Sequence, residues 1–391
     1  MNGEKRRVLF MLSRLDSGGV SKSMVNLLNE IDRKRYDINL WIGIPGGLYS
    51  DLLPKDLRVI CDNRITFLLA GARGIAPLLR RWHFLLALGS CVRLLLACVS
   101  KAWAGWWLSR LMPPLSEEFD VVIDYNGQHQ LYYMIDKIKA HRKITFFHSD
   151  YKQWAYYYSV DRRYFPRADA VCSISKQCVT SLCEVFPDIK DKILCIENIS
   201  TQRLIRRMAQ QNINELNMDP PVLVTVGHVS EKKGSDLAIR AAALLRSRGI
   251  DFQWFFVGNV SDMKKYNDML SRYGLHERMH LLGLLVNPYP YMDRATLIVH
   301  PSQFEGKSIA LDEAKILCKP IVVTNFSTVG DQFEDGVNAT ICEMTPESLS
   351  AAIEDLLNDP DKRNQYSTWL QEHMTDNRTE INKMYALIDE A

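Results

Sequence analysis

A chain of 391 residues, 47% hydrophobic and 24% charged, is long enough for two ordinary domains and too apolar for intrinsic disorder. Its net charge of +2 hides an asymmetry, because residues 1–200 carry +8 and residues 201–391 carry −6. Nine scattered cysteines, an odd number without a C-x-x-C pair, argue against a disulfide scaffold and fit reduced thiols in a cytosolic protein.

The start, "MNGEKRRVLFMLS", is charged and then apolar for only about seven residues. That is shorter than a secretory core and reads as a first buried strand. The following "SRLDSGGVSKSMVNLL" predicts a glycine turn at Gly18 and Gly19 and then a helix. It is not a Walker A loop: Ser21 precedes Lys22, and Asp16 stands where the first glycine belongs. The dinucleotide pattern G-x-G-x-x-G is missing too, which leaves a helix N-terminus able to face an anion.

Apolar, β-branched runs then alternate with helical periodicity: "INLWIGI", "LRVICD", "DVVIDYN", "KITFFHS", "AVCSIS" and "KILCIEN". Between the second and third of these, residues 63–116 contain no acid but hold Arg64, Arg73, Arg80, Arg81, Arg93, Lys101 and Arg110 among many Leu and Trp. Arg93 and Lys101 interrupt any run long enough to span a bilayer. Cations flanking Leu and Trp faces suit helices lying in an anionic membrane interface, so Arg80, Arg81, Arg93 and Lys101 are expected to face a membrane surface. The other reading is a pair of ordinary core helices.

The polar stretch "STQRLIRRMAQQNINELNMDPP" predicts a linker, dividing the chain into domains 1–205 and 206–391. Beyond it come "PVLVTVG", "FQWFFVG", "MHLLG", "ATLIVHP", "PIVVTN" and "NATICE", and from about Thr345 the pattern is helical to the end. Strands alternating with helices predict βαβ units and parallel sheets covered on both faces, hence an α/β fold of two Rossmann-like domains facing across a cleft.

Two motifs mislead. "HERMH", residues 276–280, matches the zinc-protease pattern H-E-x-x-H, but Gly274 ends the preceding helix and a strand follows, leaving no room for both histidines on one helical face. Asp359-Pro360-Asp361 has the D-x-D form of metal-dependent sugar transferases but sits between helices as a turn. No metal is expected.

The informative stretch is "ATLIVHPSQFEGKSIALDEAKILCKPIVVTN", residues 295–325. It predicts a strand, a loop holding Glu305, a helix capped by Ser308 and holding Glu313, and a strand opened by Pro320. The N–H groups after Gly306 would crown the helix with positive potential, a seat for a diphosphate.

This stretch resembles the E-x7-E signature of retaining glycosyltransferases of the GT-B fold, family 4, through Ser302, Glu305, Gly306, Glu313, Ala314 and Pro320. "VGHVSEKKGSDLAIRAA", "HLLGLLVNPYPYMDRATLIVHPS" and "FEDGVNATIC" are similar to further family motifs in the same order. In the first half the likeness rests on the opening loop, on "FFHSD" with His148 and on "ADAVCSIS".

The resemblance implies a transferase that takes a sugar from a nucleotide-diphosphate donor, UDP-sugar favoured, with no cofactor and no metal. It implies catalytic positions for His148, near the transferred sugar, and Glu305, beside its ring. Lys233 would contact the donor diphosphate, Glu313 the ribose, and the backbone of Gly306, Lys307 and Ser308 the phosphate. Gly19 would let the first domain approach the donor phosphate, and Gly18 would shape the acceptor side of the same loop. His228 stands where the family has a clamping arginine, a charge that Lys232, Lys307 or a protonated His228 would have to replace. The expected acceptor is a glycan or glycolipid of surface polysaccharide synthesis, with no nucleic-acid partner. The expected place is the cytoplasmic side of the membrane, attached peripherally. A UDP-sugar 2-epimerase and a non-catalytic partner subunit share the same fold and remain alternatives.

Overall fold

The computed structural model describes residues 5–16, 18–213, 219–373 and 379–390, except the Leu204 side chain. The chain divides into two compact α/β units, Met1–Ile199 with Arg378–Ala391, and Ser200–Asn377.

The first unit holds strands β1 (Arg6–Leu12), β2 (Tyr36–Ile42), β3 (Arg58–Ile60), β4 (Glu118–Asp124), β5 (Lys139–Phe147), β6 (Ala170–Ser173) and β7 (Ile193–Cys195). They form one parallel sheet in the order β3-β2-β1-β4-β5-β6-β7. Successive strand residues point to opposite faces. Val8, Phe10 and Leu12 therefore enter one apolar core and Leu9 and Met11 the other. Burial on both faces explains why the strand runs are continuously apolar and do not alternate with polar residues.

The second unit holds β8 (Val222–Val226), β9 (Gln253–Val257), β10 (Met279–Gly283), β11 (Leu297–His300), β12 (Ile321–Thr324) and β13 (Thr340–Cys342), all parallel, in the order β10-β9-β8-β11-β12-β13. Each sheet is doubly wound, with strand order reversing at β1/β4 in the first and β8/β11 in the second. Such reversals open a crevice beyond the carboxyl ends of the strands. Among the described residues all thirteen strands fall on the runs read from the sequence, and the nine cysteines are free thiols.

Three features differ from the sequence reading. The terminal helix Glu380–Asp389 belongs to the first unit, not the second: Met384, Leu387 and Ile388 enter its core, and Tyr36 donates to Asp389 at 2.9 Å. An amphipathic helix specifies that one face will be buried, not which partner buries it. The polar linker contains the helix Gln202–Ala209, which buries Ile205 and Ala209; residues 214–218 of the linker lie outside the described residues.

The third concerns residues 63–116, which cross from β3 to β4 as helices Asn63–Leu69, Ile75–Arg80, Phe84–Val99 and Lys101–Leu111. Among the described residues no helix is long and apolar enough to cross a membrane. Leu85, Leu88, Val92, Leu95 and Val99, spaced three and four apart, form an exposed stripe on Phe84–Val99, beside Trp82, which is 80% exposed. Arg80 and Arg81 are exposed beside it, with Arg81 over the Phe67 ring at 5.0 Å. Arg93 does not join this face. It turns away from the stripe and donates to the Leu68 carbonyl, and together with Lys101 it lines an open cavity of the first unit. On a 3.6-residue period position 93 falls off the Leu85–Val99 stripe, which is the physical reason.

Candidate functional site

At the carboxyl ends of β8 and β11, the two strands flanking the second sheet's reversal, a cation and a carboxylate meet. After β8 the chain passes the exposed His228, makes a short turn Glu231–Lys233, and enters the helix Ser235–Ser247 through Gly234 at φ 71. A side chain at Gly234 would place its Cβ 1.7 Å from the Pro301 carbonyl oxygen, so only glycine allows this turn to lie against the loop after β11. That contact brings Lys233 Nζ to 2.7 Å from Glu305 Oε2.

The other carboxylate oxygen, Oε1, lies 2.9 Å from His300 Nε2. An ionised carboxylate only accepts, so that ring nitrogen carries the proton. Burial acts to raise the Glu305 carboxyl, but Lys233 and His300 outweigh it and hold it at about 2. Glu305 is therefore an anion at every ordinary pH, with both oxygens engaged.

Behind it, Thr328 donates to the Glu305 carbonyl at 3.1 Å and anchors the loop. Ser308 occupies the N-cap position of the helix Ile309–Ile316, but its side chain makes no capping bond. Its N–H, expected to meet phosphate, is donated to Gln332 Oε1 at 3.0 Å, and the Gln332 amide donates back to the Ser308 carbonyl and to Asp312. Lys307 is nearly buried, its Nζ 4.0 Å from Asp312 Oδ2. Lys232 lies over the Phe304 ring at 5.5 Å. Glu313 is buried, and its Oε1 accepts from the Tyr289 hydroxyl at 2.9 Å.

The structure thus gathers Lys233, Glu305, Gly306, Lys307, Ser308 and Glu313 on neighbouring segments, with His228 on the turn before Lys233. It adds His300, Gln332 and Tyr289, which the sequence reading missed. His300 had a signal: it closes β11, five residues before Glu305, at the carboxyl end where ligands bind.

The misleading motifs resolve as expected. His276 lies after the helix Met263–Tyr273 and His280 lies in β10, on no common helical face. Asp359 caps the helix Pro360–Glu372 by accepting from the Lys362 N–H at 2.8 Å.

In the first unit, Gly18 holds φ 98 at the start of the helix Gly19–Glu30, and Lys22 is half-buried, not exposed as a simple first-turn lysine would be. His148 follows β5, its ring against Tyr125 at 4.6 Å and stacked on Phe146 at 5.7 Å. Burial pushes it down to about 3; Asn198 and the Tyr125 backbone offset this slightly without a well-formed hydrogen bond to either ring nitrogen. It is a neutral imidazole.

Residues 206–370 match the family Glycosyl transferases group 1. Over 149 residues the chain is 30% identical to alpha-D-kanosaminyltransferase of Streptomyces kanamyceticus, covering 37% of this chain and 38% of that protein. Over 204 residues it is 24% identical to the N-acetylgalactosamine-N,N'-diacetylbacillosaminyl-diphospho-undecaprenol 4-alpha-N-acetylgalactosaminyltransferase of Campylobacter jejuni, covering 52% of this chain and 54% of that protein. The matches to these curated relatives thus span between 38% and 54% of their length. The structure of Anabaena Alr3699/HepE in complex with UDP and glucose superposes with a TM-score of 0.73 at 16% identity, covering 99% of this chain and 100% of that one. Staphylococcus aureus TarM, in a complex that includes UDP, gives 0.70 at 14% identity, covering 98% and 100%. These two likenesses show the fold. The second unit is thus similar to the glycosyl transferases group 1 family over residues 206–370, and the fold matches the solved structures along the whole length.

Proposed function

We propose that the protein is a retaining, metal-independent glycosyltransferase that moves a sugar from a UDP-sugar to a hydroxyl of a lipid-linked glycan in surface polysaccharide synthesis. The observation that carries this reading is the Lys233–Glu305–His300 cluster at the β8/β11 reversal. A departing nucleoside diphosphate needs fixed positive charge, and the sugar left behind, oxocarbenium-like, needs negative charge near its ring. Lys233 supplies the first and Glu305 the second.

Glu305 is a poor nucleophile and a poor base, because its carboxyl is held at about 2 and both oxygens are bonded. A double displacement through Glu305 is therefore disfavoured. In the favoured path the acceptor hydroxyl attacks the face the diphosphate is leaving and passes its proton to the departing phosphate oxygen. His148, neutral with a pKa of about 3, is no acid catalyst at ordinary pH.

The test is UDP release from UDP-sugars with and without a lipid-linked acceptor, the product's anomeric configuration being read by NMR. Acceptor-dependent release with retained configuration is expected. Release of an epimerised sugar without acceptor, or no turnover, would overturn the reading.

The exposed Leu85–Val99 stripe with Arg80 and Arg81 supports a further part of the proposal, attachment to the inner face of the cytoplasmic membrane. Phe84–Val99 has 16 residues and is about 24 Å long, short of a hydrocarbon core of roughly 30 Å, which suits lying in the interface. Leu88→Glu with Leu95→Glu should release the protein from phosphatidylglycerol vesicles in flotation. Unchanged flotation would refute membrane attachment through this stripe.

A further inference from the structure

The first sheet has its own reversal, between β1 and β4, and a cavity of about 350 Å³ lies beyond the strand ends there. Ser13 and Arg14 follow β1, Gln128 and His129 follow β4, and Arg93 and Lys101 reach in from the helices Phe84–Val99 and Lys101–Leu111. No carboxylate is among its described lining residues.

Arg93 is the most informative group. It is half-buried, bonded to one backbone carbonyl, and no described carboxylate lies within ion-pair distance of it. A desolvated cation without a counter-ion is costly, and a bound anion removes that cost. Lys101, whose Nζ lies 4.9 Å from the Tyr156 ring centre, likewise has no described carboxylate partner. Arg14 shares its charge with Asp16 at 3.3 Å, so it is the weaker contributor. Gln128 holds φ 56 and ψ −130, a backbone state that non-glycine residues rarely adopt and that clusters at ligand sites. His129 Nε2 lies 3.3 Å from Ser13 Oγ, so neutral donors stand beside the cations.

We propose that this cavity binds a phosphate or diphosphate group of the acceptor, with Arg93 and Lys101 as its principal cations. Assigning the anion to the acceptor rests on the transferase reading; anion binding rests on the cavity alone. The helix Phe84–Val99 carries the apolar stripe on one side and Arg93 on another, so one element serves a lipid-facing surface and a phosphate-facing one.

The test is a calorimetric titration of full-length protein with inorganic pyrophosphate, in saturating UDP so that the donor site is filled. The expected result is binding that weakens at least tenfold in Arg93→Met and in Lys101→Ala, with UDP affinity unchanged and Arg93→Lys recovering part of the loss. Lys101 is exposed and makes no described hydrogen bond, so Lys101→Ala keeps the test decisive if Arg93→Met fails to fold. No pyrophosphate binding, or equal affinity in both variants, overturns the proposal. Failure of the wild type to bind UDP overturns the transferase reading and leaves the pyrophosphate result to judge the cavity. A second arm compares phosphatidylcholine vesicles with and without polyprenyl diphosphate. A Lys101-dependent preference for the doped vesicles supports a lipid-linked anion. Lys101-dependent pyrophosphate binding without that preference supports a water-soluble phosphate ester in the same cavity.

Discussion

Replacing Glu305 by glutamine keeps the side chain's shape and one acceptor oxygen while removing the charge that Lys233 meets at 2.7 Å. The carboxyl falls from an ordinary 4.5 to about 2 on folding, and at about 1.4 kcal/mol per unit that shift contributes about 3 kcal/mol. The native pKa is the lower one, so this stability is fully present above the unfolded value near 4.5 and is lost as pH falls toward 2. Urea unfolding of wild type and Glu305→Gln should therefore differ by about 3 kcal/mol at pH 5, about 2 at pH 3.5, and about 1 at pH 2.5. A variant as stable as wild type at pH 5, or a gap that does not close on acidification, would refute the buried ion pair as described.

Other outcomes follow from the same geometry. Gly234→Ala should cost about 2 kcal/mol or more and weaken donor binding together with stability, because its Cβ would displace the Pro301 loop that leads to Glu305; a silent melting curve would contradict this. Gly18→Ala should cost about 1–3 kcal/mol through backbone strain at φ 98 although no atom lies within 4 Å of the added Cβ. The pH–rate profile between 5 and 8 should show no inflection from His148, since its pKa is about 3. An inflection in that range that vanishes in His148→Gln would show that the ring is not buried as described.

How far the sequence foretells this structure depends on the range of the interaction concerned. The strands were legible because two-sided burial makes them continuous apolar runs, as in "RRVLFMLS" and "PVLVTVG". Lys233, Glu305 and Glu313 were legible through motif spacing. What escaped was through-space pairing. The Ser308 N–H is taken by Gln332, 24 residues on, and the carboxylate of Glu305 by His300 and Lys233. Neither follows from local propensity or capping rules. The short helix Gln202–Ala209 escaped because only a few apolar residues mark its buried face. The turn of Arg93 away from the Leu85–Val99 stripe could have been found, because helical periodicity separates the two; composition alone counted it as one more cation.

Donor binding at Lys233 is the most direct test of the transferase site. UDP titrated into the wild type in excess EDTA should bind, and Lys233→Met should weaken that binding at least tenfold while leaving the far-UV circular dichroism spectrum unchanged. Binding that needs a divalent metal and ignores Lys233 would contradict the account.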